Sequence, residues 1–245
     1  MLKKSARLDG IANQYHKGEV LDIHIENICQ EYEANWILEV LGSRKSVVDL
    51  GYGDGLISPK LATAHDVTLI EGSADLVELA VRDLATFGDR ITVINEFFEE
   101  FKTDKKFDAV VASHVLEHVD DPKELLLQIN GWMKPDGLLV VVVPNAESIH
   151  RRAALAMGLT ASLDELSNRD VMVGHQRVYT STEIMAEIEL CGFEIISTRG
   201  FFIKPLSNSQ MLEWSIELLE ALNNIAADLP ASLAGNFGCV ARKKS

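Results

Sequence analysis

Residues 47–55 read Val47-Val48-Asp49-Leu50-Gly51-Tyr52-Gly53-Asp54-Gly55. A β-branched pair leads into an acid, and three glycines then stand at alternate positions ahead of a helical pattern over residues 56–64. This order predicts a strand, a tight turn and a helix. Glycines let the backbone turn sharply and approach a ligand without a Cβ in the way. The start of the helix offers free N–H groups to that ligand. The segment therefore indicates a nucleotide-binding α/β domain.

A second acid supports this interpretation. Glu71 ends the next apolar run, Val67-Thr68-Leu69-Ile70. At the tip of a second strand, a carboxylate can accept hydrogen bonds from both hydroxyls of a ribose. A nicotinamide-dependent oxidoreductase, using NAD or NADP, is one alternative. It is disfavoured because the glycines are spaced G-x-G-x-G rather than G-x-G-x-x-G, and because the chain has no Tyr-x-x-x-Lys pair.

Three downstream segments extend the pattern. They are Phe107-Asp108-Ala109-Val110-Val111-Ala112-Ser113, then Val115-Leu116-Glu117-His118-Val119-Asp120-Asp121-Pro122, then the helix, turn and strand of residues 125–143. With the glycine turn they resemble the class I S-adenosylmethionine (SAM)-dependent methyltransferases, and the second segment resembles small-molecule members. The resemblance covers about residues 46–144. It implies an enzyme that uses SAM as its cofactor.

Strand and helix patterns alternate along the chain. Strands are predicted near residues 46–50, 67–71, 91–95, 107–112, 138–143, 194–203 and 236–242. We expect an α/β fold with a Rossmann-like, doubly wound, mostly parallel seven-stranded sheet.

Four segments describe the expected domain organisation. An N-terminal helical segment over residues 1–43 would lie over the cofactor mouth, and the methyltransferase domain would span residues 44–245. A cap insertion is expected over residues 145–180, and an extra helix over residues 207–227. The apolar stripe of that helix could pack on the sheet or form a homodimer.

The resemblance implies a set of cofactor contacts. Asp49 would reach the ammonium of the cofactor, directly or through water, or would only hold the turn. Tyr52 would flank the methionine portion or point to solvent. The register around the adenine is uncertain by one residue. The full set is Asp49, Gly51, Tyr52, Gly53, Gly55, Glu71, Glu96, Phe97, Ser113 and His114.

Three histidines are the candidate catalytic residues. His114 could contact the methionine end of the cofactor, act as a general base or be structural. His118 and His175 could face the acceptor, or could be a hydrogen-bonded structural residue and a loop anchor respectively. A hydroxyl acceptor must lose its proton, and histidine is the natural base near neutral pH. An amine acceptor needs only to arrive unprotonated.

The predicted cap contributes candidate acceptor contacts. By resemblance, His175 and Tyr179 could touch the acceptor. Arg151, Arg152 and Arg177 could bind a phosphate or carboxylate, since arginine forks suit both groups, or could be surface residues without a role.

Composition excludes several partners. With 23 basic and 37 acidic residues the net charge is -14, which opposes binding to nucleic acid or anionic membranes. The three cysteines form no zinc spacing, so we expect no metal site and a reducing compartment. No apolar run approaches the ~20 residues of a membrane span, and no secretion signal is recognised. We therefore expect a cytoplasmic protein.

These observations favour SAM-dependent methyl transfer to an oxygen, or a nitrogen, of a small-molecule metabolite that could be phosphorylated or acidic. A quinone-type O-methyltransferase and a non-catalytic SAM-binding partner are the alternatives.

Overall fold

The computed structural model describes residues 9–10 and 23–244. Seven strands form one sheet in the order β3-β2-β1-β4-β5-β7-β6. The strands are β1 Ser46–Leu50, β2 Asp66–Glu71, β3 Ile91–Asn95, β4 Phe107–Ser113, β5 Met133–Pro144, β6 Phe193–Phe201 and β7 Asn236–Lys243. The first five are parallel, and β7 runs antiparallel to both β5 and β6. The expected mostly parallel, seven-stranded sheet is confirmed.

Helices cover both faces of the sheet. They are α1 Ile23–Leu41, α2 Ile57–Ala62, α3 Ala74–Asp83, α4 Pro122–Trp132, α5 Ile149–Ala156, α6 Asn168–Met172, α7 Ser181–Leu190 and α8 Ile216–Ala226. Alternate residues of the central strands enter two separate hydrophobic layers, with Val48 and Val110 in one and Val47 and Val111 in the other. This alternation follows from the period of two along a strand, and burial on both faces explains the continuous apolar runs.

Local capping fixes where several helices begin. Ser73 caps α3 by accepting a hydrogen bond from the backbone of Leu76. Thr180 and Glu183 form a reciprocal capping box at the start of α7, so Thr180 is the N-cap.

Two segments differ in extent from the expectations. Strand β5 begins earlier than residue 138 because Met133 already pairs with Phe107, ahead of a register shift. The extra helix expected over residues 207–227 is shorter. A 3₁₀ turn over Asn208–Gln210 comes first, and α8 begins only after Ser215, whose side chain caps it.

The described part of the N-terminal segment is mainly helix α1. Most of the remaining expected segment, residues 1–8 and 11–22, lies outside the described residues. Helix α1 packs on α2 and α8 and contributes Ile25, Cys29 and Trp36 to the core. All three cysteines are buried and unbonded to one another. Among the residues described, no helix has both the length and the apolar character needed to cross a bilayer.

Strand order decides where a ligand can bind. Strand β1 lies between β2 and β4, so the chain's connections leave it in opposite directions along the sheet. In open α/β sheets, ligands bind in the crevice at the carboxyl ends of such strands. The glycine turn after β1 lies at that edge of the sheet, together with Glu71 at the end of β2 and with Ser113 and His114 at the end of β4.

Candidate active site

A cavity of about 380 Å³ opens at this edge of the sheet. Helix α1 and the segment between β5 and α7 form its other walls. Most of the candidate site residues line it, namely Asp49, Gly51, Tyr52, Gly53, Glu71, Phe97, Ser113, His114, His118, Arg151 and His175. Others lie outside its lining, namely Gly55, Glu96, Arg152, Arg177 and Tyr179.

The glycine turn adopts backbone conformations that only glycine adopts freely. Gly53 has φ +54°, and a Cβ built there would meet no described atom within 4 Å, so it would stand in open space beside the cavity. Gly55 has φ +74°, and a Cβ there would lie 2.7 Å from the hydroxyl oxygen of Tyr52. Gly55 therefore admits the Tyr52 ring without itself lining the cavity.

Tyr52 does not point to solvent. Its side chain is buried, and its hydroxyl donates a hydrogen bond to Asp83 at 3.2 Å. Burial, together with the charge of Asp83, raises the pKa of Tyr52 to about 12. The neutral ring thus forms part of the cavity wall, and of the two alternatives given above, solvent exposure is wrong.

Glu71 is held in place by the backbone around it. Its two carboxylate oxygens accept hydrogen bonds from the amides of Tyr52 at 2.8 Å and Ser73 at 2.7 Å. Burial raises the pKa of Glu71, although these backbone donors oppose the shift. Each oxygen retains a further lone pair, so the carboxylate can also accept hydrogen bonds from a diol.

Asp49 lies behind the glycine turn and is almost fully buried. Its carboxylate accepts a hydrogen bond from the Ser58 hydroxyl at 2.6 Å. Burial raises the pKa of Asp49 to about 7, with Ser58 opposing the shift and Glu71 adding to it. A cationic ligand in the cavity would favour the ionised form.

The residues after β3 that line the cavity are not the pair expected from the sequence. Phe97, Phe98 and Glu99 line the cavity, whereas Glu96 does not. The backbone amide of Glu96 donates to the carbonyl of Glu71, which extends the strand pairing by one residue. Glu99 is therefore the acid of this segment that faces the cavity.

His114 lies between two buried carboxylates. Its Nε2 is 2.9 Å from Glu33, and its Nδ1 is 3.4 Å from Glu117. Burial alone would lower the pKa of His114, but the charges and hydrogen bonds of the two glutamates outweigh it, and the pKa is raised well above its usual range. A protonated ring with both nitrogens engaged has no lone pair to accept a proton. This arrangement disfavours the general-base interpretation of His114.

Glu33 was missed by the analysis of the sequence. It is fully buried in α1. A signal was present, because Glu33 follows the buried residues Ile25 and Cys29 at helical spacing and precedes Ile37 by one turn. A charged residue within an apolar stripe requires a buried partner, and here that partner is His114.

His118 and His175 are brought together from distant parts of the chain. Their ring centroids are 4.7 Å apart in an edge-to-face arrangement. The backbone amide of Gln176 donates to the carbonyl of Glu117 at 2.8 Å, and its side chain donates to the carbonyl of His118 at 2.6 Å. Burial lowers the pKa of His118, although Glu117 opposes the shift. A neutral His118 ring therefore faces the cavity.

The predicted cap arginines are already engaged. Arg151 lines the cavity, but its guanidinium binds Asp170 at 2.6 Å. Arg152 pairs with Glu147 on the outer surface. These two arginines form ion pairs within the segment between β5 and α7 and do not present unpaired guanidinium groups to the cavity.

Arg177 and Tyr179 connect the residues before α7 to the segment after β4. Arg177 donates to the carbonyls of Leu116 at 2.9 Å and Val119 at 2.5 Å. The Tyr179 hydroxyl lies 3.5 Å from the Leu116 carbonyl, and the side chain is buried. Both residues support the position of His118 without lining the cavity.

The residues of the cavity fit a ligand that carries a ribose and a positive charge. Glu71 can bind a diol, and Asp49 offers a carboxylate behind the turn. The hydroxyl of Ser113 is buried and has no hydrogen-bond partner among residues 9–10 and 23–244. A ligand in the cavity could satisfy it, because buried polar groups rarely remain unpaired.

Comparisons with known proteins agree with this fit. A family model described as "Methyltransferase domain" matches residues 24–198. The chain is 30% identical to the ubiquinone biosynthesis O-methyltransferase of Rickettsia canadensis over 81% of this chain and 80% of that protein. Its match to the Rickettsia felis enzyme of the same name, also 30% identical, spans only 51% of this chain and 49% of that protein.

A solved structure shares the fold at lower identity. It is the Burkholderia thailandensis 1,6-didemethyltoxoflavin-N1-methyltransferase with bound 1,6-didemethyltoxoflavin and S-adenosylhomocysteine. The two superpose with a TM-score of 0.61 and 17% identity, over 95% of this chain and 85% of that one.

Proposed function

Since the chain belongs to the class I SAM-dependent methyltransferases, we propose that it methylates a hydroxyl oxygen of a small-molecule metabolite. The chain is an enzyme, and its methyl donor is SAM. One observation carries the choice of acceptor. A neutral histidine, His118, faces the same cavity as the glycine turn and Glu71.

Methyl transfer to a hydroxyl requires a proton to leave. SAM supplies an electrophilic methyl group, so the acceptor oxygen forms the C–O bond while the C–S electron pair stays with sulfur and the hydroxyl proton departs. The products are a methyl ether, S-adenosylhomocysteine and a proton. Much of the rate enhancement should come from holding both substrates in line within the cavity.

The walls of the cavity would hold the donor in a defined orientation. We assign the ribose hydroxyls to Glu71, the ammonium to Asp49, and a hydrogen bond near the methionine portion to Ser113. Phe97 and Phe98 supply apolar surface for the adenine. The acids Glu71 and Asp49 favour a positively charged ligand over an anionic one.

Among the three candidate histidines, His118 is the best proton acceptor. His114 is held protonated by Glu33 and Glu117. His118 is neutral, and its neighbour His175 is oriented by Asp170 at 3.0 Å. An amine acceptor would not need this arrangement, so the pair supports oxygen as the methylated atom.

A phenolic acceptor of the quinone-precursor type is the second, narrower candidate. The relatives from Rickettsia are named ubiquinone biosynthesis O-methyltransferases. Apolar side chains such as Val115, Val119 and Phe202 line the acceptor end of the cavity. A phosphorylated or acidic acceptor has less support, because Arg151 is already paired with Asp170.

An acceptor screen tests the proposal. The purified protein would be incubated with SAM and a catechol, a catechol carboxylate, a sugar phosphate or a primary amine. Release of S-adenosylhomocysteine and the product mass would be measured. We expect a methyl ether from a catechol. Methylation of the amine alone would contradict the proposal.

A matched pair of variants tests the histidine. We expect His118→Gln to lower kcat with little change in KM for SAM. His24→Gln should leave both unchanged, because His24 does not line the cavity. Equal activity in the two variants would remove His118 from the reaction.

A further inference from the structure

Phe202 lies just beyond the end of β6, in a backbone conformation that bulky residues seldom adopt. Its φ is +58°, in the left-handed region where glycine is the ordinary residue. Its side chain is only 4% exposed, and yet it lines the cavity. We propose that Phe202 determines acceptor specificity, because its ring forms the apolar surface on which the flat ring of an aromatic acceptor packs.

The strand order places Phe202 at the end of the cavity remote from the donor. Strand β7 is antiparallel to both β5 and β6, so β6 runs parallel to the first five strands and its carboxyl end lies at the edge of the sheet that carries the cavity. Two strands separate β6 from β4, and at about 4.8 Å per strand their axes lie roughly 14 Å apart. The contacts assigned to the donor lie in or directly after β1 to β4. Phe202 therefore bounds the space that remains for the acceptor.

The left-handed conformation changes the direction in which the ring points. In a regular strand, consecutive side chains point to opposite faces of the sheet. Phe201 and Phe202 are consecutive, but both belong to the hydrophobic layer that also contains Val47 and Val111. The positive φ at Phe202 thus coincides with a break in the alternation, and the break keeps the ring on the face of the sheet that Phe201 occupies.

Backbone hydrogen bonds on both sides hold Phe202 in this conformation. Its carbonyl accepts from the amide of Gly235 at 2.7 Å, and the amide of Ile203 donates to the carbonyl of Leu222 in α8 at 3.1 Å. Strained backbone persists only where the surrounding structure imposes it, and such residues cluster at ligand-binding sites. Glycine would be relaxed at this position, so the presence of phenylalanine indicates that the ring itself is needed there.

The ring is supported on one side by the core and faces the cavity on the other. Ile25 and Cys29 of α1 belong to the same hydrophobic layer as Phe202, and both also line the cavity. Val115 and Val119 add apolar surface to the lining. A ring whose movement is restricted by its neighbours offers a preorganised surface. Aromatic rings attract one another in offset or edge-to-face geometry beyond the effect of the area that they bury.

This role rests on the proposed function, because it requires a hydroxyl acceptor in the same cavity as the donor. The reacting hydroxyl must lie near the methyl group, whereas Phe202 would contact a part of the acceptor away from that hydroxyl. Binding energy from such remote parts holds the reacting atoms in line. Loss of the ring should therefore weaken binding of aromatic acceptors without affecting binding of the donor.

A comparison of two ligands on the S-adenosylhomocysteine complex tests the proposal. Catechol and cyclohexane-1,2-diol both carry adjacent hydroxyls, but only catechol is flat and aromatic. Neither can be methylated in this complex, so calorimetry reports binding alone. We expect the wild type to bind catechol about tenfold more tightly than the diol. Phe202→Leu should reduce that ratio to about threefold or less, and S-adenosylhomocysteine affinity should stay unchanged.

Phe201→Leu is the matched control, because Phe201 is an adjacent buried phenylalanine that does not line the cavity. It should keep the ratio of the wild type, and so should Phe202→Tyr, which retains an aromatic ring. Equal affinities of the wild type for the two ligands would overturn the proposal even if Phe202→Leu failed to fold. An unchanged ratio in a folded Phe202→Leu variant, or no binding of catechol to the wild type, would overturn it as well.

Methylation assays on the same proteins separate the two proposals. Methylation of catechol by the wild type, with the same KM for catechol in Phe202→Leu, would overturn the role of Phe202 and leave the proposed function standing. A catechol preference that depends on Phe202, in a protein that methylates amines only, would support selection by the ring and overturn the proposed acceptor.

Discussion

Replacing Glu71 with alanine should separate cofactor binding from folding. In our assignment, the carboxylate accepts hydrogen bonds from both ribose hydroxyls. Hydrogen bonds to a charged group contribute about 1.5–3 kcal/mol each, so losing two would weaken binding by about 3–6 kcal/mol. That corresponds to a loss of affinity of roughly hundredfold to ten-thousandfold.

The same change has a smaller effect on stability. Alanine removes the acceptors of the Tyr52 and Ser73 amides, and each orphaned donor costs about 1–3 kcal/mol if water does not replace the carboxylate. Water can enter from the cavity, and the desolvation that raises the pKa of Glu71 is relieved. We therefore expect a net loss below about 2 kcal/mol, which corresponds to a fall in Tm of at most about 4–8 °C for a chain of this size.

Calorimetric titration with S-adenosylhomocysteine, alongside thermal denaturation, measures both effects. Glu78→Ala is the matched control, because Glu78 is an exposed acid on α3 outside the cavity. Affinity within threefold of the wild type in a folded Glu71→Ala variant would refute the assignment of Glu71 to the ribose. Complete unfolding of the variant would refute the stability argument.

Four further predictions follow from the same geometry. The carboxylate of Asp49 must be ionised to attract an ammonium, so affinity for SAM should rise about tenfold per pH unit up to about pH 7 and then level. Calorimetry should find that Asp49→Asn lacks this rise. An unchanged pH profile in the variant would contradict the assignment. Folding raises this pKa from 3.8, so the Asp49 contribution to stability should decline as pH rises from 3.8 to about 7. Gly55→Ala places alanine at an unfavourable φ and brings its Cβ into a clash with the Tyr52 hydroxyl. Chemical denaturation should show that the free energy of unfolding falls by about 1–3 kcal/mol. No change in stability would mean that the turn relaxes without strain. Trp36→Ala removes a buried ring that packs edge-to-face on Phe201, with ring centroids 5.3 Å apart. The variant should lose about 3–5 kcal/mol of its free energy of unfolding, measured by chemical denaturation. A loss under 1 kcal/mol would show that α1 is not part of the cooperative core.

Local patterns along the chain were enough to predict the sheet and the cofactor end of the cavity. The glycine turn, Asp49 and Glu71 lie within two strands and one turn, where sequence neighbours are also neighbours in space. The alternation of strands and helices then implies a parallel sheet whose carboxyl ends share one edge. The mostly parallel seven-stranded sheet is confirmed because each step of that inference concerns adjacent elements.

Expectations differed from the structure where a few residues of register or one capping hydrogen bond decides which residue lines the cavity or where a helix begins. Glu96 and Glu99 are equally acidic and lie one turn apart, but only Glu99 lines the cavity. The helix expected over residues 207–227 is interrupted because Ser207 and Ser215 both cap new turns. Serines compete with the helix for backbone hydrogen bonds, and an apolar stripe alone does not register that competition.

The chemistry at the acceptor end was decided only by the tertiary structure. Glu33 comes from α1, His114 and Glu117 from the segment after β4, and His175 from the segment between β5 and α7. His114 and Glu117 are three residues apart, but no local spacing relates them to Glu33 or to His175. Their charges, protonation and orientation depend on burial and on contacts across the cavity, which act over a few ångströms in space whatever the separation along the chain. The sequence by itself determined the fold and the glycine turn at the edge of the cavity, because both are properties of contiguous residues, whereas only the folded chain decided which histidines are protonated and which are neutral.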